Sequence, residues 1–306
     1  MVKLLHYNEW SETAYTLHLI TQMMGKVKLV RMPAQPGWGH IVLHFTPQGL
    51  TTGLIPNGER SFAINLNLDT STVFTQTVSG DTAGFSLRNN TSVSEYYNDF
   101  KKMLAALVCD TVINEVPQEM GTRTPFYDDT QKRDYESCAA RDFYQMYVYA
   151  HNALLDFASP FRGKKLLPSF FWGTFDVSTV LFSGKPSPFP GSGVIEVNGF
   201  DEQFFEAGFW AGDPNLADPS FFIMPYPFIK DDLSDKPVSP DKVVWSTAKM
   251  EYFFSLKDAL TYPDPEAAIR EFLQSTFGVV TKHEAWECID WFTQPLTIPV
   301  HRNQGS

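Results

Sequence analysis

From Ser61 to Asp69 the chain alternates without a break. Phe62, Ile64, Leu66 and Leu68 hold one parity, and Ser61, Ala63, Asn65, Asn67 and Asp69 the other. Only a strand has a period of two residues, so this stretch must lie in a sheet with one buried face. It follows an Asn57-Gly58 pair that supplies the positive φ angles of a tight turn, with Leu54-Ile55 as the opposing arm. A second hairpin is expected at Ser79-Gly80-Asp81, and further strands over 40–45, 169–183, 221–224 and 250–254, where aromatic and β-branched residues gather.

Helical signals are fewer and longer. Asn8 caps a helix that Gly25 is expected to end, with Trp10, Ala14, Leu17 and Met24 along one side. Ser92 and Glu95 have the spacing of a capping box. A long helix is expected over 135–157. The last is bounded by Asp264 as N-cap, Pro265 at the first helical position and Gly278 as terminator. Helices and strands do not alternate one by one, which argues against a doubly wound parallel sheet. The fold class is α+β, mainly antiparallel sheets flanked by about four longer helices. Both halves read helix, strands, helix, so two similar lobes are an option, although no residue-level repeat supports duplication. Lobes over 1–120 and 134–292, joined by the polar, Pro/Gly-punctuated stretch 117–134, would form one cooperative unit followed by a flexible tail at 293–306.

Composition excludes several function classes. A net charge of −11 with scattered Lys and Arg argues against nucleic acid as a partner. No apolar run has the roughly 18 residues of a membrane span, and the N-terminus lacks a signal-peptide core, so a cytoplasmic protein is expected. Three widely spaced cysteines suggest neither a disulfide framework nor a zinc site. The aromatic share is 15%, enough to wall an apolar cavity as well as fill a core.

No catalytic signature of hydrolases, nucleotide binders or zinc proteases is present. Four constellations remain. Ser11, Tyr15, His18 and Gln22 form a polar stripe on the first helix, in which His18 has an acid–base imidazole among hydrogen-bonding neighbours, or simply faces solvent. His40 and His44 share one side of an expected strand, roughly 13 Å apart and too far to share a metal, while Trp38 is placed to stack on His40. On a strand through Phe170-Phe171-Trp172-Gly173-Thr174-Phe175-Asp176, Trp172 and Asp176 share a face. A carboxylate there tends to have a raised pKa unless it pairs with Lys164 or Lys185. Glu202 and Glu206 would sit on one helical face near Trp210, able to share a proton or a cation, or be merely solvated.

These same residues resemble a bacterial family known as a domain of unknown function. The resemblance rests on Thr16-Leu17-His18, Gly49-Leu50-Thr51-Thr52, the Phe170–Asp176 segment, Phe182-Ser183-Gly184-Lys185, Ala207-Gly208-Phe209-Trp210 and Phe272-Leu273-Gln274-Ser275-Thr276. It covers roughly residues 8–278 and carries no assigned reaction. The family pattern places a histidine before Phe-Phe-Trp-Gly and a His-Glu pair upstream of Gly-Phe-Trp. This chain has Ser169 and Glu202-Gln203 there, which sets it apart as a divergent member.

Together these readings lead to a small-molecule site between the lobes, with His18, Asp176 and Glu206 as proton carriers. Gln22, Trp38, His40, Trp172, Trp210 and Lys164 would bind a largely apolar substrate. The expected chemistry is metal-independent acid–base work of isomerase, lyase or cyclase type, with no cofactor. The alternatives are a non-catalytic carrier or sensor of a hydrophobic metabolite, and a protein-interaction module.

Overall fold

A computed structural model describes residues 2–297. After a 3-10 turn at Tyr7–Glu9, helix α1 spans Ser11–Arg31, well past the terminator expected at Gly25. That glycine serves a different purpose. The Trp172 indole lies against its Cα so closely that a Cβ would stand 2.1 Å from the ring. Helix α1 is also buried around most of its circumference. Leu17, Met23, Met24 and Val27 are sealed in the core, and so are Gln22, Lys26 and Lys28.

A second 3-10 turn, Pro36–Trp38, precedes a five-stranded antiparallel meander. Its strands are β1 (His44–Thr46), β2 (Gly49–Thr51), β3 (Phe62–Asn67), β4 (Thr72–Thr77) and β5 (Thr82–Ser86). In β3 the apolar residues are buried and their neighbours half-buried, as the alternation requires. The partner of β3 is β2 rather than an arm at 54–56, which contributes only the bridge between Ile55 and Phe62. His40 lies in a turn outside β1, so His40 and His44 do not share a strand.

The strand β6 (Thr91–Ser92) leads into α2 (Val93–Ala106), where Ser92 and Glu95 complete the expected capping box. The chain then runs irregularly to β7 (Lys132–Arg133), the partner of β6, and into α3 (Ser137–Ala158). This irregular segment is bonded along α1. Lys26 Nζ donates to the Val116 carbonyl (2.8 Å), Gln22 exchanges two hydrogen bonds with the Gln118 backbone, and the Tyr15 hydroxyl donates to Asp129 (3.0 Å). Tyr15 and Gln22 of the polar stripe therefore face protein, not solvent.

The second half forms a six-stranded antiparallel sheet from β8 (Lys165–Phe171), β9 (Asp176–Pro186), β10 (Glu202–Trp210), β11 (Ser220–Tyr226), β12 (Val244–Ser246) and β13 (Glu251–Ser255). Its strand order is β12-β13-β11-β10-β9-β8, and the short helix α4 (Val194–Gly199) interrupts it between β9 and β10. Phe170–Asp176 is thus no single strand. Trp172 to Phe175 turn the chain, so Phe171 and Asp176 pair face to face across a hairpin. Glu202 and Glu206 lie on a strand as well, not on a helix. Two backbone hydrogen bonds of 2.9 Å between Leu43 and Phe170 couple the sheets.

Three helices follow: α5 (Leu256–Ala259), α6 (Pro265–His283) and α7 (Ile289–Phe292). Asp264 caps α6 as expected, but Gly278 lies inside it. Helices α3 and α6 cover one face of the six-stranded sheet. One apolar core runs from Leu5 to Trp286 and takes residues from both halves. Of the tail expected at 293–306, the Gln294 and Pro295 carbonyls accept from Arg162, and residues 298–306 lie outside the described residues.

The two helical glycines separate packing from propensity. Gly25→Ala should destabilise the protein by about 1–3 kcal/mol, because a methyl group must displace the Trp172 ring. Gly278→Ala, with no atom within 4 Å of the new Cβ, should stabilise it by about 0.5–1 kcal/mol. Urea midpoints of the two variants measure this; a neutral Gly25→Ala would mean the indole does not rest there.

Candidate functional site

The face of the six-stranded sheet turned away from α3 and α6 floors a cavity of about 400 Å³. Strand parity decides which side chains reach it. Asp176, Val180 and Phe182 project from β9, Phe204, Glu206 and Trp210 from β10, Phe222 and Met224 from β11, and Glu251 and Phe253 from β13. Residues of the other parity, such as Val177, Phe205, Ala207, Phe209 and Phe221, belong to the core. Gly208 interrupts the β10 row because the Phe222 ring crosses it; a Cβ there would lie 2.3 Å from that ring.

The roof comes from elsewhere in the chain. It comprises α4, the Pro36–Trp38 turn, and the loop carrying Gln118 and Glu119. Trp38 Nε1 donates to the Ile195 carbonyl (3.0 Å), which ties the turn to α4. Trp172 Nε1 donates to the Ile41 carbonyl (3.0 Å) and holds the hairpin wall in place. Phe175 closes that hairpin in the left-handed region (φ 60°), an uncommon conformation for a bulky residue. It is held there by a Tyr147 hydroxyl bonded to its carbonyl (2.6 Å) and by stacking on Phe143 and His18.

Carboxyl groups dominate the polar part of the cavity. Asp176 is 4% exposed. Its Oδ1 accepts from the Thr174 hydroxyl, while Oδ2 has no partner among the described residues. Burial, reinforced by the charge of Glu206, raises its pKa well above the usual carboxylate range. Burial also pushes Glu206 up to about 7, opposed by the nearby Ser178 hydroxyl and assisted by Glu251 and Glu119. The Ser178 hydroxyl approaches both carboxyls without completing a hydrogen bond of good geometry. Glu251 rises to about 7 through burial, with Lys249 acting against the shift. Glu119 is raised too, by burial and then by Glu196. Met224 pairs with Glu206, and Ile223 with Tyr252, which sets Glu251 two strands from Glu206, about 10 Å between backbones.

Of the residues singled out from sequence, Asp176, Glu206, Trp38, Trp172 and Trp210 line this cavity. His18 and Gln22 stand one layer behind. His18 Nε2 donates to the Gly173 carbonyl (2.9 Å), and burial lowers its pKa to about 4, so it is neutral at pH 7. Gln22 fixes Gln118. Both act as positioning residues for the walls. His40 stacks behind Trp38 at 5.7 Å, its Nδ1 accepting from the Gln35 backbone. Lys164 pairs with Glu202 (2.6 Å) outside the cavity, leaving Asp176 without a cation. Ser169 bonds the Leu167 carbonyl, and Gln203 points to the end of α6 at Glu284, so the sequence positions marked as divergent do not reach the cavity.

Sequence reasoning missed Glu251, Lys249, Glu119 and Ser178. The alternation Glu251, Phe253 against Tyr252, Phe254 was the available signal for the first; nothing local marks the others.

These features define an α+β protein with an aromatic, acid-lined cavity on the open face of its larger sheet. The chain belongs to a family of unknown function, DUF5996, whose pattern matches residues 3–291. No curated protein and no solved structure matches it. Among the described residues no helix is long and apolar enough to cross a membrane.

The raised carboxyls make stability pH-dependent with a definite sign. A carboxyl that binds its proton more tightly when folded contributes its stability below about pH 4.5 and loses it as pH rises towards 7. Glu206→Gln removes that loss, so the variant should gain on wild type by at most about 3 kcal/mol at pH 8 relative to pH 5. Thermal unfolding of both proteins at the two pH values tests this; an equal gap at both would show that Glu206 ionises normally.

Proposed function

We propose that this protein is an enzyme that moves protons on a small, largely apolar molecule, with isomerisation, elimination or cyclisation as the reaction class. The observation that carries the reading is the placement of Glu206 and Glu251 in one aromatic cavity with carboxyl pKa values near 7. General acid–base catalysis works best when the catalytic pKa lies near the working pH. Two such groups on one floor, held apart by a strand, allow one to donate while the other accepts. Asp176, kept protonated in the empty cavity by burial and by Glu206, adds a third proton-bearing group to the same floor. Trp38, Trp172 and Trp210 hold the apolar body of the substrate and exclude water.

A purely apolar carrier site would have no need of displaced ionisable groups, and an interaction module would expose its apolar surface rather than fold it into a cavity. Both fit this cavity less well.

The purified protein should consume at least one species in a metabolite extract of its own host. The product should have equal mass, or be lighter by one small neutral molecule, as read by mass spectrometry. Glu206→Gln should lower that conversion at least a hundredfold, and the rate should follow a bell centred near pH 7. Identical extracts after incubation with wild type and variant would overturn the reading, and a ligand retained unchanged by both would mark a carrier.

A further inference from the structure

The charges around the cavity do not balance. Asp176, Glu206, Glu251 and Glu119 all line it, and the only cationic side chain in the lining, among the described residues, is Lys249. Lys249 sits at the exposed mouth, where its ammonium lies over the rings of Trp210 (5.5 Å) and Phe253 (5.7 Å). Two other ammonium groups lie near lining rings but are engaged elsewhere: Lys164, over the Phe182 ring at 4.0 Å, pairs with Glu202, and Lys26, over the Trp172 ring at 5.9 Å, is bonded to the Val116 carbonyl. Deep in the cavity, the sealed Asp176 keeps one carboxyl oxygen without a donor. A buried carboxyl with a single donor resists ionisation until a cation or a further donor reaches it.

We propose that the molecule taken up here is a small organic ammonium ion with an apolar body, its charged nitrogen directed at the Asp176 carboxyl and its body against the aromatic walls. Two independent observations meet in this assignment. The Asp176 carboxyl has one oxygen unpartnered and no cation beside it, and once its proton leaves it gains from an ammonium the donor and charge that a carboxylate cannot supply. The ring faces attract cations through their quadrupoles, as the seating of Lys249 over Trp210 and Phe253 shows. An anionic ligand would meet four carboxyl groups and the negative faces of the rings. The assignment deepens the acid–base reading by naming a substrate class for the same cavity, and it is tested by binding alone.

Titration calorimetry with three probes of one shape decides it: 2-phenylethylammonium, 2-phenylethanol and phenylacetate. The ammonium should bind wild type at least tenfold more tightly than the alcohol, and phenylacetate more weakly than either. Because the cavity acids hold protons when it is empty, uptake of the ammonium at pH 6 should release protons, seen as a heat that changes with the buffer. The groups concerned are Asp176 on β9, Glu206 on β10, Glu251 on β13 and Glu119 with its neighbour Glu196 above them, set against Lys249. Asp176→Asn should reduce the ammonium-to-alcohol ratio towards one. Wild-type protein that binds the ammonium no better than the alcohol, or binds none of the three, overturns the proposal. So does an Asn variant that keeps the preference. Turnover of a neutral metabolite without ammonium preference would sink this assignment alone; ammonium preference without any turnover would sink only the catalytic reading.

Discussion

A helix buried on nearly all sides cannot leave its polar side chains unsatisfied, and most of this fold follows from how α1 meets that requirement. An orphaned buried donor costs about 1–3 kcal/mol. Tyr15, His18, Gln22, Lys26 and Lys28 each find a partner outside the helix: Asp129, Gly173, Gln118, Val116 and Val42. The irregular segment after α2 is ordered by these bonds instead of by secondary structure. Arg31 extends the pattern, bonding Asn57, Asp110 and Thr111 at the end of the helix. Two buried lysines without carboxylate partners are the clearest sign of the constraint. Burial lowers both to a pKa of about 8, yet carbonyl acceptors suffice to hold them.

The same helix sets the cavity walls. Trp172 rests on Gly25, so the hairpin between β8 and β9 is seated directly on α1, and His18 bonds the next residue, Gly173. Gln22 positions Gln118 and thereby Glu119. One side of the cavity is thus fastened to the core of the protein through three consecutive turns of a single helix. The floor is fastened differently, by strand pairing. A sheet with α3 and α6 on one face has only its other face free for ligand chemistry, so every functional side chain must fall on one parity of its strand.

The legible parts of the sequence were those governed by local rules. The alternation at 61–69, the Ser92–Glu95 box and the Asp264-Pro265 start all describe interactions within a few residues, and each matches the structure. The misread elements are those where distant packing overrides the local signal. Gly25 and Gly278 read as terminators because glycine is poor inside helices, but the first is there to admit an indole from 147 residues away. The Trp172–Phe175 turn carries no Asn-Gly or Pro-Gly signature; it is held by Tyr147, Phe143 and His18, none of which is near in sequence. Asp176, Glu206, Trp38, Trp172 and Trp210 were recognisable as polar groups among aromatics. That Glu251 and Glu119 complete the set depends on strand order and on a loop whose path α1 dictates.

One buried and two half-buried carboxyls that resist ionisation destabilise a fold at neutral pH, and this protein holds all three on one face of its larger sheet. Replacing each by an amide of similar shape would remove the ionisation cost without disturbing the strand pairing. All three project from the same face of the sheet, into one cavity. Local violations of this kind are where function is expected to reside. Asp176 makes the argument sharpest. Its hairpin is fixed by Tyr147, Trp172 and His18, it has one hydroxyl partner, and no cation accompanies it. The structure around it is rigid enough to hold a carboxyl where water and counter-ions are scarce, and that is the condition under which a carboxyl distinguishes a charged ligand from a neutral one.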